Sequence, residues 1–121
     1  MEDLLRFLKC IADENRLKIL KLLLDSQHCV CQLQEILDKS QSSISQHLGY
    51  FKDLDLLNEK QHAKWTYYSI DRNVYDSYLA RLVALKANSL AELNLPELEV
   101  KINNLEAAEV IDTEIKERSC C

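Results

Sequence analysis

The sequence predicts a mainly α-helical domain with one small β-hairpin, in the order α-α-α-α-β-β-α. Three observations predict it. Gly and Pro occur once each among 121 residues, which leaves few sharp turns and favours helices. Apolar residues recur at helical spacing through residues 4–54 and again from 75 onward. Between these stretches, over 57–70, the pattern shortens to that of strands. The length suits one domain with a modest core, and a domain this small commonly covers leftover apolar surface by dimerising.

Leu4, Phe7, Leu8 and Ile11 define the first helix. Asp13 is placed to cap the second, whose apolar stripe is Leu17, Leu20, Leu23 and Leu24. Val30, Leu33, Ile36 and Leu37 mark a short third helix. Ser40 caps a fourth, with Ile44, Leu48, Phe51 and Leu54 on one face. About three residues, Asp38-Lys39-Ser40, join these two helices, the connection a helix-turn-helix uses. Residues 57–61 and 65–70 read as two strands around a His62-Ala63-Lys64 tip, which lacks the Gly that tight turns favour. Asn73 is placed to cap a fifth helix carrying Tyr75, Tyr78, Leu79, Leu82 and Leu85. Asn94-Leu95-Pro96 starts another, with a broken stripe of Leu98, Ile102, Leu105 and Ile111. This order is that of a winged helix-turn-helix. The expected division is a DNA-binding and dimerisation domain over 1–93, then a helical extension with a mobile Cys-Cys tail over 94–121.

The net charge of −5 is unevenly spread. Residues 73–121 hold five basic and nine acidic side chains, whereas 39–52 contain Lys39 and Lys52 and no acid. Overall acidity therefore does not exclude DNA as a partner. No apolar run approaches the roughly 20 residues that cross a bilayer, and Met1-Glu2-Asp3 is acidic where a signal peptide is basic. A cytosolic chain without membrane contact is expected. There, five cysteines are expected to be free thiols. The chain has no Cys-x-x-Cys, phosphate loop or nucleophile elbow, which argues against a dithiol oxidoreductase and against an enzyme generally.

Two constellations carry function. With Ile44, Leu48 and Phe51 inward, about 100° per residue turns Ser42, Ser45, Gln46 and Gly49 outward. Ser and Gln donate and accept, so they can read base edges, and a helix N-terminus suits phosphates. Gln41, Ser42, Ser43, Ser45 and Gln46 are the candidate DNA contacts. His47 borders the core face, either as a packed histidine or as a DNA ligand. Lys60 and Lys64 in the hairpin are candidates for flanking phosphates. A solvated helix face in a protein adaptor is the competing interpretation, and salt-dependent duplex binding separates the two. The second constellation is His28-Cys29-Val30-Cys31, whose paired thiols select soft ions over hard, oxygen-loving cations.

Three motifs resemble the ArsR/SmtB metalloregulators, over about residues 3–88: Ile11 to Leu20, Ser40 to Leu48 and Trp65 to Ile70. The resemblance implies a dimeric repressor with an interface formed by residues 4–11 and 75–85, binding operator DNA without a cofactor. It also implies that Cys29 and Cys31 bind an inducing ion, foremost arsenite or antimonite, with cadmium, lead or zinc as alternatives. The family's arsenic repressors often have a third cysteine where this chain has Gln34. The remaining candidates for a third ligand are Cys120, Cys121, Cys10, His28 or an exogenous thiol or hydroxide. Cys10 is expected to be buried at the dimer interface. The family's zinc site on the last helix needs Asp, His and Glu, yet residues 72–119 contain no His and no Cys. A redox or persulfide sensor is the alternative of the same fold, although a Cys29–Cys31 disulfide would close a small, strained ring.

Overall fold

The computed structural model describes residues 1–108. Its elements are α1 (Glu2–Ile11), α2 (Glu14–Asp25), α3 (Val30–Leu37), α4 (Gln41–Lys52), β1 (Leu57–His62), β2 (Trp65–Ile70), α5 (Arg72–Ala87) and α6 (Pro96–Ala108). The chain divides into two compact units, Met1–Val83 and a second that begins at Ala84.

Local chemistry sets the boundaries of the first unit. The Asp13 carboxylate accepts from the Arg16 backbone N–H at 3.0 Å and caps α2. Ser40 Oγ accepts from the Ser43 N–H at 3.1 Å and caps α4. Between them α3 ends on Asp38 in the left-handed region (φ 56°), which turns the chain sharply into α4. β1 and β2 pair antiparallel from Leu57–Ile70 to His62–Trp65, leaving a two-residue turn at Ala63-Lys64. Ala63 takes φ 59° there, a conformation that glycine adopts at less cost.

Phe7, Ile19, Leu23, Leu33, Ile44, Leu48, Phe51 and Leu56 fill the core. Every helix from α1 to α4 contributes to it, so α4 is held against the rest by its own inward face. Tyr78 of α5 stacks on Phe7 at 4.6 Å between ring centroids, pinning α1 to α5 within the protomer. The winged helix-turn-helix expected from the sequence is the fold observed.

Several local expectations are corrected. Ile19 rather than Leu17 fills the core from α2, and Leu17 is half exposed. In α3 only Leu33 is buried, while Ile36 faces solvent. Asp71, not Asn73, caps α5, its carboxylate accepting from the Asn73 and Val74 N–H groups. The first strand runs one residue further, to His62. The expected burial of Cys10, by contrast, is observed, at 3% exposure among the protomer's own core residues.

In the second unit, Ser89 and Glu92 bond reciprocally: the Ser89 N–H donates to Glu92 Oε1 at 2.7 Å, and the Glu92 N–H donates to Ser89 Oγ at 3.2 Å. Pro96 opens α6 as expected, and Leu98, Ile102 and Leu105 are exposed. Ile111 lies outside the described residues.

Candidate functional site

The outward face of α4 matches the candidate set. Gln41, Ser42, Ser45 and Gln46 are exposed, Ser43 is half-buried beside its cap, and Ile44 and Leu48 point inward. No acidic side chain lies within α4. Lys60 on β1 and Lys64 at the turn are exposed, and Lys64 Nζ sits 5.2 Å from the Trp65 ring centroid.

His47 is half-buried, and its Nδ1 lies 3.3 Å from an Arg16 guanidinium nitrogen. A guanidinium has no acceptor, so Nδ1 accepts. The same guanidinium donates to the Cys10 carbonyl at 2.6 Å and lies 4.1 Å above the Tyr50 ring. The Arg16 backbone N–H, together with the nearby Arg16 guanidinium, holds the Asp13 carboxyl below its ordinary pKa. Arg16 and Tyr50 were not singled out by sequence reasoning, because nothing local in the chain announces a pairing over this distance.

The thiol pair straddles the start of α3. Cys29 is its extended N-cap (φ −92°, ψ 170°), and Cys31 lies in the first turn. The Cys29 N–H donates to Gln32 Oε1 at 3.0 Å, fixing the entry into the helix. The sequence held that signal, a Gln three residues after a cap, with Cys in place of Ser. His28 adds a second anchor, exchanging backbone hydrogen bonds with Tyr68 of β2 at 3.0 and 2.8 Å. Cys29 is 6% exposed, whereas Cys31 is open to solvent.

Both cysteines line one open cleft of about 400 Å³. Val30 and Gln34 of α3, Gln41 at the start of α4, and Trp65, Thr66 and Tyr68 of β2 complete its walls. The thiols therefore adjoin both the start of α4 and strand β2 of the hairpin. Two soft donors suit a thiophilic ion, and no group of three His, Cys, Asp or Glu side chains suited to a metal occurs among the described residues. Cys10 lines a separate cleft with Arg6, Lys9, Arg16, Tyr50, Asp53 and Leu54. Burial raises its thiol pKa, an effect that Arg16 opposes and Asp13 adds to, so Cys10 stays protonated at neutral pH. His28 Nε2 lies 3.2 Å from Ser26 Oγ, and the residue does not line the thiol cleft. Cys120 and Cys121 lie outside the described residues.

Comparison with known proteins adds an independent observation. The family model described as "Bacterial regulatory protein, arsR family" matches residues 13–59. The chain is 37% identical over 71 residues to the arsenical resistance operon repressor of Escherichia coli, covering 58% of this chain and 61% of that one. It is 32% identical over 82 residues to the cadmium resistance transcriptional regulatory protein CadC homolog of Staphylococcus aureus, covering 67% and 64%. The match thus spans less than two thirds of either relative. The solved structure of HlyU from Vibrio cholerae aligns with a TM-score of 0.57 at 32% identity, covering 72% of this chain and 95% of that one.

Proposed function

Because the chain belongs to the arsR family of bacterial regulatory proteins, we propose that it is a dimeric, cytoplasmic DNA-binding repressor released by a thiophilic ion. Cys29 and Cys31 are the ligands in this reading, and arsenite or antimonite is the foremost inducer. The observation that carries it is the shared cleft, where both thiols meet Gln41 of the recognition helix and Trp65 and Thr66 of the wing. A relative named for arsenical resistance supports arsenic, and one named for cadmium resistance makes cadmium the next ion to test. Cys120 or Cys121 is a possible third ligand.

DNA binding follows from the α4 face. Gln41, Ser42, Ser43, Ser45 and Gln46 meet bases or phosphates in the major groove, with His47 at its margin. Lys60 and Lys64 meet the flanking phosphates. No helix among the described residues is long and apolar enough to cross a membrane.

Release follows from the position of the thiols. Cys29 is already extended, so an ion held there must draw Cys31 out of the first turn of α3. Residues i and i+2 share a side only in extended chain. Melting that turn gives up the Cys29–Gln32 cap and the bonds from the Gln32 and Leu33 N–H groups to the Cys29 carbonyl, which the ion–thiolate bonds must offset. The distortion passes to α4 at Gln41 and to the wing through the His28–Tyr68 pairing. Reversing a 99:1 preference needs roughly 5.5 kcal/mol of differential affinity.

The test is a titration of the protein on a duplex selected from a random library, using arsenite, antimonite, cadmium, lead, zinc and a persulfide donor. Arsenite or antimonite should release DNA, and Cys29→Ser or Cys31→Ser should bind DNA normally yet resist release. Unchanged release from both variants would remove the thiol pair from the mechanism. Release by the persulfide donor alone would make the protein a redox sensor.

A further inference from the structure

Away from the thiol pair, we propose that the cleft between α1, α2 and the end of α4 binds a small molecule carrying a doubly charged phosphate monoester. Three observations carry this: the charge of the walls, the donors they present and the room between them. Neither Cys29 nor Cys31 lines this cleft, so the site stands or falls apart from ion sensing.

The charge comes first. Arg6 and Lys9 of α1 and Arg16 of α2 line the cleft, and Asp53 at the end of α4 is the one carboxylate among its walls. Cys10 stays protonated at neutral pH and adds no charge. Two more carboxylates stand nearby, each with other partners. Asp3 lies 4.0 Å from both Arg6 and Arg81, and Asp13 caps α2. The walls thus gather two positive charges in excess, within a chain whose net charge is −5. A cleft lined by one sign of charge concentrates the opposite ion. A phosphate monoester, at about −1.5 to −2, matches that excess. Each phosphate of a DNA backbone carries a single charge.

The donors are partly set in place. Arg16 is half-buried, its Nε donating to the Cys10 carbonyl and its Nη1 to His47 Nδ1. Its Nη2 has no hydrogen-bond partner among the described residues, and Lys9 has no ion pair among them. Arg6 Nη2 donates to the Asp53 carbonyl at 3.3 Å, which draws this second guanidinium from α1 toward the end of α4. Planar guanidinium forks suit the several oxygens of a phosphate. The volume, about 350 Å³, falls within the range of small-molecule pockets, roughly 300–1,000 Å³. It leaves room beside the exposed Tyr50 ring for the organic part of the ester. No residue of α5 lines the cleft, so it lies on the α4 side of α1. An occupant there ties α1 and α2 to the end of α4.

The reduced full-length protein is titrated with glycerol phosphate and with dimethyl phosphate at neutral pH and constant ionic strength, and followed by amide NMR. Glycerol phosphate should give saturable shifts centred on Arg6, Lys9, Arg16 and Tyr50. It should bind at least about fivefold more tightly than the singly charged dimethyl phosphate. Arg6→Gln/Lys9→Gln should weaken it at least about tenfold while sedimenting as the parent does, and Lys9→Gln alone at least about threefold. Lys18→Gln removes an equal charge, one paired with Glu14 outside the cleft, and should change nothing. Asp53→Asn removes the opposing carboxylate and should tighten binding. Amide exchange over residues 50–53 should slow when glycerol phosphate binds. Equal affinity for the two phosphates, parent-like binding in the double variant, or a dissociation constant weaker than about 10 mM overturns the proposal. So does a double variant that loses duplex affinity with a flatter salt slope while the parent binds no monoester, which would make these cations contacts to the DNA backbone.

Discussion

Arg16 joins the end of α1 to two successive turns of α4, through the Cys10 carbonyl, His47 Nδ1 and the Tyr50 ring. Its planar fork makes all three contacts together, which a lysine's single ammonium cannot. Arg16→Lys should therefore loosen α4 while keeping the charge. The expected result is a loss of about 1 kcal/mol in stability and several-fold weaker operator binding, measured by urea unfolding and fluorescence anisotropy. Parent-like values in both assays would reduce Arg16 to a surface residue. Cys10, beneath it, predicts a pH effect with a definite sign. Its folded pKa is raised, first by burial, so its contribution is complete below the ordinary value of 9.0. It is lost as pH rises through the folded value, because the unfolded chain releases the proton first. Stability should fall above about pH 9, and Cys10→Ala should flatten that fall. An equally steep decline in the variant would assign the alkaline loss to other groups.

The elements differ in how legible they were, and the reasons are physical. α4 could be read closely because Ser40 caps it and one apolar stripe fills one inward face. α2 was misread at Leu17 because Leu and Ile crowd several of its faces, so spacing alone cannot choose between Leu17 and Ile19. α3 spans eight residues and buries one, too little for a stripe to be meaningful. The thiol pair was visible in the chain, but its cleft was not. Trp65, Thr66 and Tyr68 reach it through a single backbone pairing at His28, which has no periodic signature. Recognition helix and wing should fail differently when altered. Gln46→Ala should cost about 1–3 kcal/mol and relax sequence preference if the amide reads a base. Lys64→Ala should weaken all duplexes alike and lower the salt slope by about one. If selection from a random library returned the same consensus for Gln46→Ala as for the parent, Gln46 would not be a base reader. The wing turn offers a gain instead. Ala63 holds φ 59°, so Ala63→Gly should stabilise the domain by up to about 1 kcal/mol, and a lower urea midpoint would contradict the strain assigned to that residue.

For the whole molecule, the proposed binding to an operator depends on how two copies present α4. Phe7 and Tyr78 already hold α1 against α5 inside one protomer, with Arg81 and Asp3 at 4.0 Å along the same pair. These helices still leave Leu5, Leu82 and Val83 exposed, Val83 at 69%. Such residues on two packed helices are the surface that a second copy covers in the proposed dimer. A charge there should separate the protomers without touching the core, since none of the three lies in it. Leu82→Glu/Val83→Glu should sediment as a monomer at micromolar concentration while keeping the parent's helical circular dichroism. Two half-sites about one helical turn apart engage a dimer through both recognition helices, and a monomer through one. The variant should therefore lose at least about tenfold in affinity for a two-site operator, or about 1.4 kcal/mol, and bind a single half-site as the parent's protomer does. Persistent dimers with parent affinity would place the interface elsewhere and leave the α1–α5 surface without a role in assembly. A stable monomer that still bound the two-site operator at parent strength would be the sharper contradiction, because DNA recognition would then need only one copy.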